Sequence, residues 1–280
     1  MKSWKIGALA GLIAGIIGGI VAAIFTVILV DLNVLFPFSN IIKTQIIMNL
    51  IWGAILGVIY SKTYDLIPGK AISKGLIFGM IIALITNVRD VSFWLPFGLY
   101  TIPSISWSLV GFFQYVSYGL ILGILYQTLL TKYRISKEKL KINTYDVSGG
   151  LLIGAIAGLT DGVVSSISDV LGTRIGLFPA TPIPITPIPY LAIIGQTLLI
   201  NMIWGTILGV VFVNAYDLIP GKGILKGICF SLIFFLISSL RMAVYFGGFG
   251  DMIMAWSYGF VGFFGTGIAF GVALGYLYKK

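Results

Sequence analysis

Histidine is absent from the 280 residues, and cysteine occurs once, as Cys229 inside an apolar run. Without histidine the usual metal sites and general acid–base pairs are missing. One cysteine cannot close an intrachain disulfide. These absences weigh against catalysis and lead us to expect no metal and no cofactor. Charge is scarce too: only 10% of residues are Asp, Glu, Lys or Arg, where a soluble domain carries roughly 25%. That leaves too little polar surface to face water on every side.

What fills the chain instead is hydrophobic. Such residues make up 58% of it, the mean hydropathy is +1.05, and no charge interrupts Ile6 to Val30 or Val147 to Leu159. The expectation is an all-α polytopic membrane protein. The net charge of +9 is not a nucleic-acid footprint, because the lysines sit in short connections between apolar segments, as membrane topology requires. The opening Met1-Lys2-Ser3-Trp4-Lys5 resembles the start of a secretory signal. The apolar run behind it spans a ~30 Å core and has a counterpart in mid-chain, so it reads as a retained helix.

The sequence repeats itself. Tyr64-Asp65-Leu66-Ile67-Pro68-Gly69-Lys70 returns unchanged as Tyr216-Asp217-Leu218-Ile219-Pro220-Gly221-Lys222. Around it Asn49, Trp52, Gly53 and Gly57 return as Asn201, Trp204, Gly205 and Gly209, Lys74-Gly75 as Lys226-Gly227, and Arg89 as Arg241. Upstream, Gly7, Gly11 and Gly15 match Gly154, Gly158 and Gly162; downstream, Gly119, Gly123 and Tyr126 match Gly271, Gly275 and Tyr278. Two domains follow, 1–140 and 141–280, each a repeat of four hydrophobic segments: about 6–30, 45–62, 72–95 and 105–131, then 148–171, 190–214, 224–246 and 253–278. Eight helices in two sets of four give parallel repeats, related by an axis along the membrane normal.

Of the 18 lysines and arginines, all but Lys43, Arg89, Arg174 and Arg241 fall on one side of these segments. By the positive-inside rule both termini and the linker at 132–146 are cytoplasmic in a multi-pass protein of the cell membrane. Glycines every fourth position, Gly7 to Gly19 and Gly150 to Gly162, lie on one helix face, a glycine-zipper pattern that lets backbones approach. Lining a pore is the alternative use of such a face. Pro68-Gly69 and Pro220-Gly221 suit the centre of a type II turn. That motif is read as a hairpin, or alternatively as a cytoplasmic gate in which Asp65 and Asp217 pair with lysines.

Depth singles out the candidate site. At 1.5 Å per residue, Asp161 lies roughly 20 Å from the cytoplasmic end of its helix, Arg241 about 22 Å and Asn201 about 24 Å. Arg89 and Asn49 reach the same level in the first half, where Ala14 replaces the aspartate. An ion in hydrocarbon costs from about 3 to over 10 kcal/mol, so such groups pair or face water. The expectation is that Asp161 pairs with Arg241, with Asn201 close by and Trp204 on the next turn. Asp161, Ser165 and Asp169, spaced by four, extend the stripe outward. Alternatively Arg241 snorkels to the outer headgroups. Proline at nearly alternate positions from Pro179 to Pro189 predicts a stiff, extended outer loop, either a cap over a vestibule or an inert connection.

Gly-Ala-x-Ala-Gly at Gly7 and Gly154, Trp-Gly-x-x-x-Gly-x-x-Tyr or -Phe at Trp52 and Trp204, and Tyr-Gly-x-x-x-Gly-x-x-Tyr from Tyr118 to Tyr126 resemble the small four-helix inner-membrane proteins of the YagU type. The second copy departs in having Phe270 where the first has Tyr118, and Asn49 and Asn201 stand where that family often carries histidine. The resemblance implies a four-helix membrane architecture for each half. Taken together, the sequence reads as a transporter or channel-like protein. Its polar site is expected at the repeat interface, for a small anionic solute or lipid headgroup, with membrane lipids as surroundings. A scaffold binding copies of itself or partner membrane subunits, and a lipid-modifying enzyme, are the alternatives.

Overall fold

The computed structural model describes residues 3–29, 38–88, 102–133, 147–176, 190–249 and 252–278, which fall into two compact units, one within Met1–Asn143 and one within Thr144–Lys280. All the secondary structure among them is helical. Seven helices are long and apolar enough to cross a membrane, and an eighth apolar stretch, Ala71–Thr86, is shorter. The protein is a multi-pass membrane helix bundle.

In the first unit α1 (Ser3–Leu29) runs antiparallel to α2 (Phe38–Thr63). Backbone meets backbone along this seam: a Cβ on Gly7 would overlap the Gly57 carbonyl oxygen, and one on Gly11 that of Gly53. Small residues of α1 (Ala10, Ala14 and Ala22) are buried while Ile13, Ile20, Ile24 and Ile28 are exposed. Large apolar side chains outward and small ones inward is the arrangement expected where lipid, not water, bathes the surface. Helix α3 (Ala71–Ala83) continues through a π-helical turn, Leu84–Val88, and packs on α4 (Ile102–Lys132), with Gly75 and Gly79 against Gly119. Residues 89–101 lie outside the described residues, so the helix expected over 72–95 is described only to Val88. Helix α2 starts seven residues before the apolar segment, because Ser39, Asn40, Lys43 and Thr44 interrupt hydropathy without breaking a helix.

The second unit holds α5 (Val147–Arg174) and α6 (Tyr190–Ala215), then α7, formed by Ile224–Phe235, a π turn Leu236–Leu240 and Arg241–Phe249. Helix α8 consists of Met252–Gly262, a π turn Phe263–Ala269 and Phe270–Leu277. Gly154 packs on the Gly205 carbonyl oxygen and Gly227 on that of Gly271. The π turns of α3 and α7 sit at corresponding sequence positions, each immediately ahead of an arginine, Arg89 or Arg241. The proline-rich loop at 179–189 lies outside the described residues.

Both Pro-Gly segments form turns. Gly69 and Gly221 have φ of +98° and +97°, the left-handed value that glycine accepts in a type II turn. Behind each turn a lysine closes the preceding helix. Lys74 Nζ donates to the Tyr64 carbonyl at 2.7 Å and Lys226 Nζ to that of Tyr216, and each ammonium sits 4.2 Å from the tyrosine ring centroid. A cation at a helix C-terminus is favoured by both the orphan carbonyls and the ring face. The Tyr64 hydroxyl donates to Gln127 Oε1 at 2.8 Å; burial, with Asp65 next to it, raises the phenol above its ordinary pKa, so it remains a donor.

Inside this end of the first unit Tyr60 is fully buried among Tyr64, Phe78 and Tyr126, with ring centroids 5.2–5.4 Å away. Among the described residues its hydroxyl has no hydrogen-bond partner. At the corresponding place in the second unit Phe212 contacts Tyr216, Phe230 and Tyr278 in the same manner. An orphaned buried hydroxyl costs about 1–3 kcal/mol. Tyr60→Phe is therefore expected to leave the protein as stable or to stabilise it by about 1 kcal/mol. Thermal unfolding of the detergent-solubilised protein checks this; a clear loss of stability would mean the hydroxyl has a partner in the membrane.

Candidate functional site

Asp161 stands on the face of α5 that turns into the second unit and is 4% exposed. A carboxylate there must be surrounded by donors. Ser165, one turn on, donates to Oδ1 at 3.0 Å. Thr266, in the π turn of α8, donates to Oδ2 at 3.2 Å and lies 3.5 Å from Oδ1. Gly265 makes the approach feasible: a Cβ there would come within 2.5 Å of Asp161 Oδ1 and would overlap Ser165 Oγ. Ser168 is buried on the same face of α5. The carboxylate is thus held from two helices, by its own helix at Ser165 and by a locally widened α8 at Thr266.

The other residues picked from sequence divide between the units. Asn201 and Trp204 on α6 and Arg241 on α7 are each buried, at 6% exposure or less. They belong with Asp161 to the second unit, and Arg241 is enclosed by protein rather than reaching out of the unit. Asn201 also supports the helix seam, since Gly158 packs directly on its carbonyl oxygen. Asn49 belongs to the first unit. The side chain of Asp169 and the whole of Arg89 lie outside the described residues.

Asn49 is part of a cluster of amides. Its Nδ2 donates to the Gln45 carbonyl at 2.7 Å and to Gln45 Oε1 at 3.3 Å, and its Oδ1 accepts from Gln114 Nε2 on α4. All three side chains are buried. Next to it Tyr118 donates to the Gly53 carbonyl at 2.8 Å. The Trp52 indole N–H, in contrast, has no hydrogen-bond partner among the described residues.

Positions that correspond in sequence carry their polar groups on different helices in the two units. In the first unit α1 offers Ala14 and Gly18, and α4 fills the space: a Cβ on Gly18 would lie 3.4 Å from Tyr118 Cβ and 3.5 Å from the Gln114 carbonyl oxygen. In the second unit α5 offers Asp161 and Ser165, and α8 meets them with the smaller Gly265 and Thr266. Gln114 and Thr266 are separated by the same interval as the repeated heptapeptides, as are Tyr115 and Gly267. Where the first unit has neutral amides, the second has a carboxylate and hydroxyls.

Reading for conspicuous charges missed Gln45, Gln114, Gly265, Thr266 and Ser168. Two signals could have found them. Gln45 is one turn from Asn49 on the same helix face. Aligning the fourth helices at the interval of the heptapeptides puts the sole amide of α4's apolar middle opposite a threonine. Compared with known proteins, the chain matches no family model, no curated protein and no solved structure.

Proposed function

We propose that the chain is a small transporter or channel-like protein of the cell membrane whose polar site is built around Asp161, Ser165 and Thr266 with Arg241 and Asn201. The observation that carries this reading is the buried carboxylate hydrogen-bonded from two helices, in the same unit as a buried arginine. Intramembrane ionisable groups are expensive and mark solute or ion pathways, and transporters hold their solutes beside interrupted helices at mid-depth. The π turns of α7 and α8 are interruptions of that kind. Arg241 makes the solute an anion, either a small one or a lipid headgroup, and Asp161 is its counter-ion when no solute is bound.

The eight helices are two parallel four-helix repeats of a duplicated unit resembling the YagU type. The heptapeptide identity supports this, as do the matched glycine seams and the π turns at equivalent positions. The lysine bias supports cytoplasmic termini. A scaffold is the second reading, favoured by the backbone-to-backbone glycine contacts, in which the polar groups only fix helix register. Native mass spectrometry of gently extracted wild type and Arg241→Ala separates the two. A small anion or acidic lipid carried by wild type and lost from the variant supports transport. Identical ligand-free spectra of two folded proteins support the scaffold.

A further inference from the structure

We propose that Asp161, Ser165 and Thr266 form a site for a monovalent alkali-metal cation, bound together with the anion held at Arg241; the second half of this statement rests on the reading above. The donor set is all oxygen. Two hydroxyls, one from α5 and one from α8, each reach one carboxylate at 3.0–3.5 Å, and oxygen is the ligand hard cations take. Beside them α8 passes the carboxylate as a π turn, with Gly265 in contact. Such a turn pairs its carbonyls five residues on instead of four, as the Gly265 carbonyl does with the Phe270 N–H.

The charge state selects a monovalent ion. Asp161 is a single carboxylate, and among the described residues no three Asp, Glu, Cys or His side chains come together, so a divalent ion would leave excess positive charge. When the cation arrives, the Ser165 proton can turn to the carbonyl one helical turn back, as serine does within helices, and present its lone pairs. The first unit has no equivalent, since Ala14 and Gly18 occupy the corresponding face.

Coupling follows from charge neutrality. The empty site holds one negative and one positive side chain, Asp161 and Arg241. A cation alone or an anion alone leaves the buried layer with one net charge, which hydrocarbon penalises; both together restore neutrality. Each ion therefore favours the other.

The test is the thermal midpoint of the purified full chain in sodium, potassium or choline chloride at equal ionic strength. We expect a saturable rise with sodium or potassium over choline, absent in Asp161→Asn. In Thr266→Val the half-saturating concentration should rise about tenfold, equivalent to about 1.4 kcal/mol. In Arg241→Ala cation binding should tighten, because the carboxylate has lost its internal counter-ion. Equal midpoints in all three salts for wild type overturn the proposal, as does a rise that survives in Asp161→Asn. A response to acidification alone, without alkali dependence, overturns it in favour of a proton. If wild type shows no alkali dependence yet carries a ligand that Arg241→Ala loses, the cation site fails and the anion reading stands. A cation response in a wild type that carries no anion overturns the coupling and the anion reading, leaving the cation site alone.

Discussion

Gly11→Ala is expected to destabilise the protein by about 2–3 kcal/mol, the upper range for forcing atoms into a packed interface. The cost comes from geometry and not from helix propensity, since alanine is the best helix former. A Cβ at Gly11 would overlap the Gly53 carbonyl oxygen and come within 2.7 Å of Gly57 Cα. These neighbours are backbone, which cannot rotate aside, so α1 and α2 would have to separate along their whole seam. Gly195→Ala in α6 is the control: among the described residues nothing lies within 4 Å of a Cβ there, and the change should be neutral or stabilise by up to about 1 kcal/mol. Thermal unfolding of both variants, with size-exclusion profiles to score the folded fraction, decides it. Equal behaviour of the two would mean that the glycine seam is not closed in the membrane.

Asp161→Ala is the second large effect. Removing the carboxylate takes the shared acceptor from Ser165 and Thr266 and leaves Arg241 buried without the counter-ion proposed for it. Each unsatisfied buried group costs about 1–3 kcal/mol, more where a charge is involved. We expect a loss of about 3 kcal/mol or more, from two hydroxyls and one cation. The first unit shows how the same space is filled without charge, by Ala14, Gly18 and Gln114. Asp161→Ala combined with Ser165→Gly and Thr266→Gln copies that arrangement and should recover part of the lost stability without recovering ligand binding. Recovery of both would mean that the carboxylate has no role beyond packing.

The membrane helices were legible because hydrocarbon imposes its own length and composition on any segment that crosses it. Ile6 to Val30 announces α1 through the absence of charge alone. The start of α2 was not legible, because Ser39, Asn40, Lys43 and Thr44 interrupt the hydropathy while a helix continues through them. The π turns were invisible for a different reason. Leu236-Ile237-Ser238-Ser239-Leu240 has ordinary helix-forming residues, and only the bonding pattern, five residues instead of four, distinguishes the turn.

At the candidate site, charge made Asp161 and Arg241 conspicuous, and burial in one unit is what such charges require. The donors to Asp161 were harder to see. Thr266 is one hydroxyl in an apolar helix, and nothing local marks it. It stands out only against Gln114 at the corresponding sequence position, and its meaning depends on Asp161 standing where the first half has Ala14, on a different helix. A pair of substitutions on two helices is a tertiary event, and periodicity within either helix carries no trace of it. Gln45 and Gln114 were passed over because neutral amides draw less notice than charges, although a buried amide needs partners as surely.

The central claim is that the layer around Asp161 connects to water, as a pathway must and a register lock need not. The most direct measurement is the labelling rate of Thr266→Cys, in a Cys229→Ser background, by a charged methanethiosulfonate reagent in intact membranes. The account predicts modification from the aqueous phase, slowed by the co-bound cation and anion. A thiol at 266 that stays inert to the charged reagent while a membrane-permeant maleimide modifies it would contradict the account and leave a dry, packed bundle.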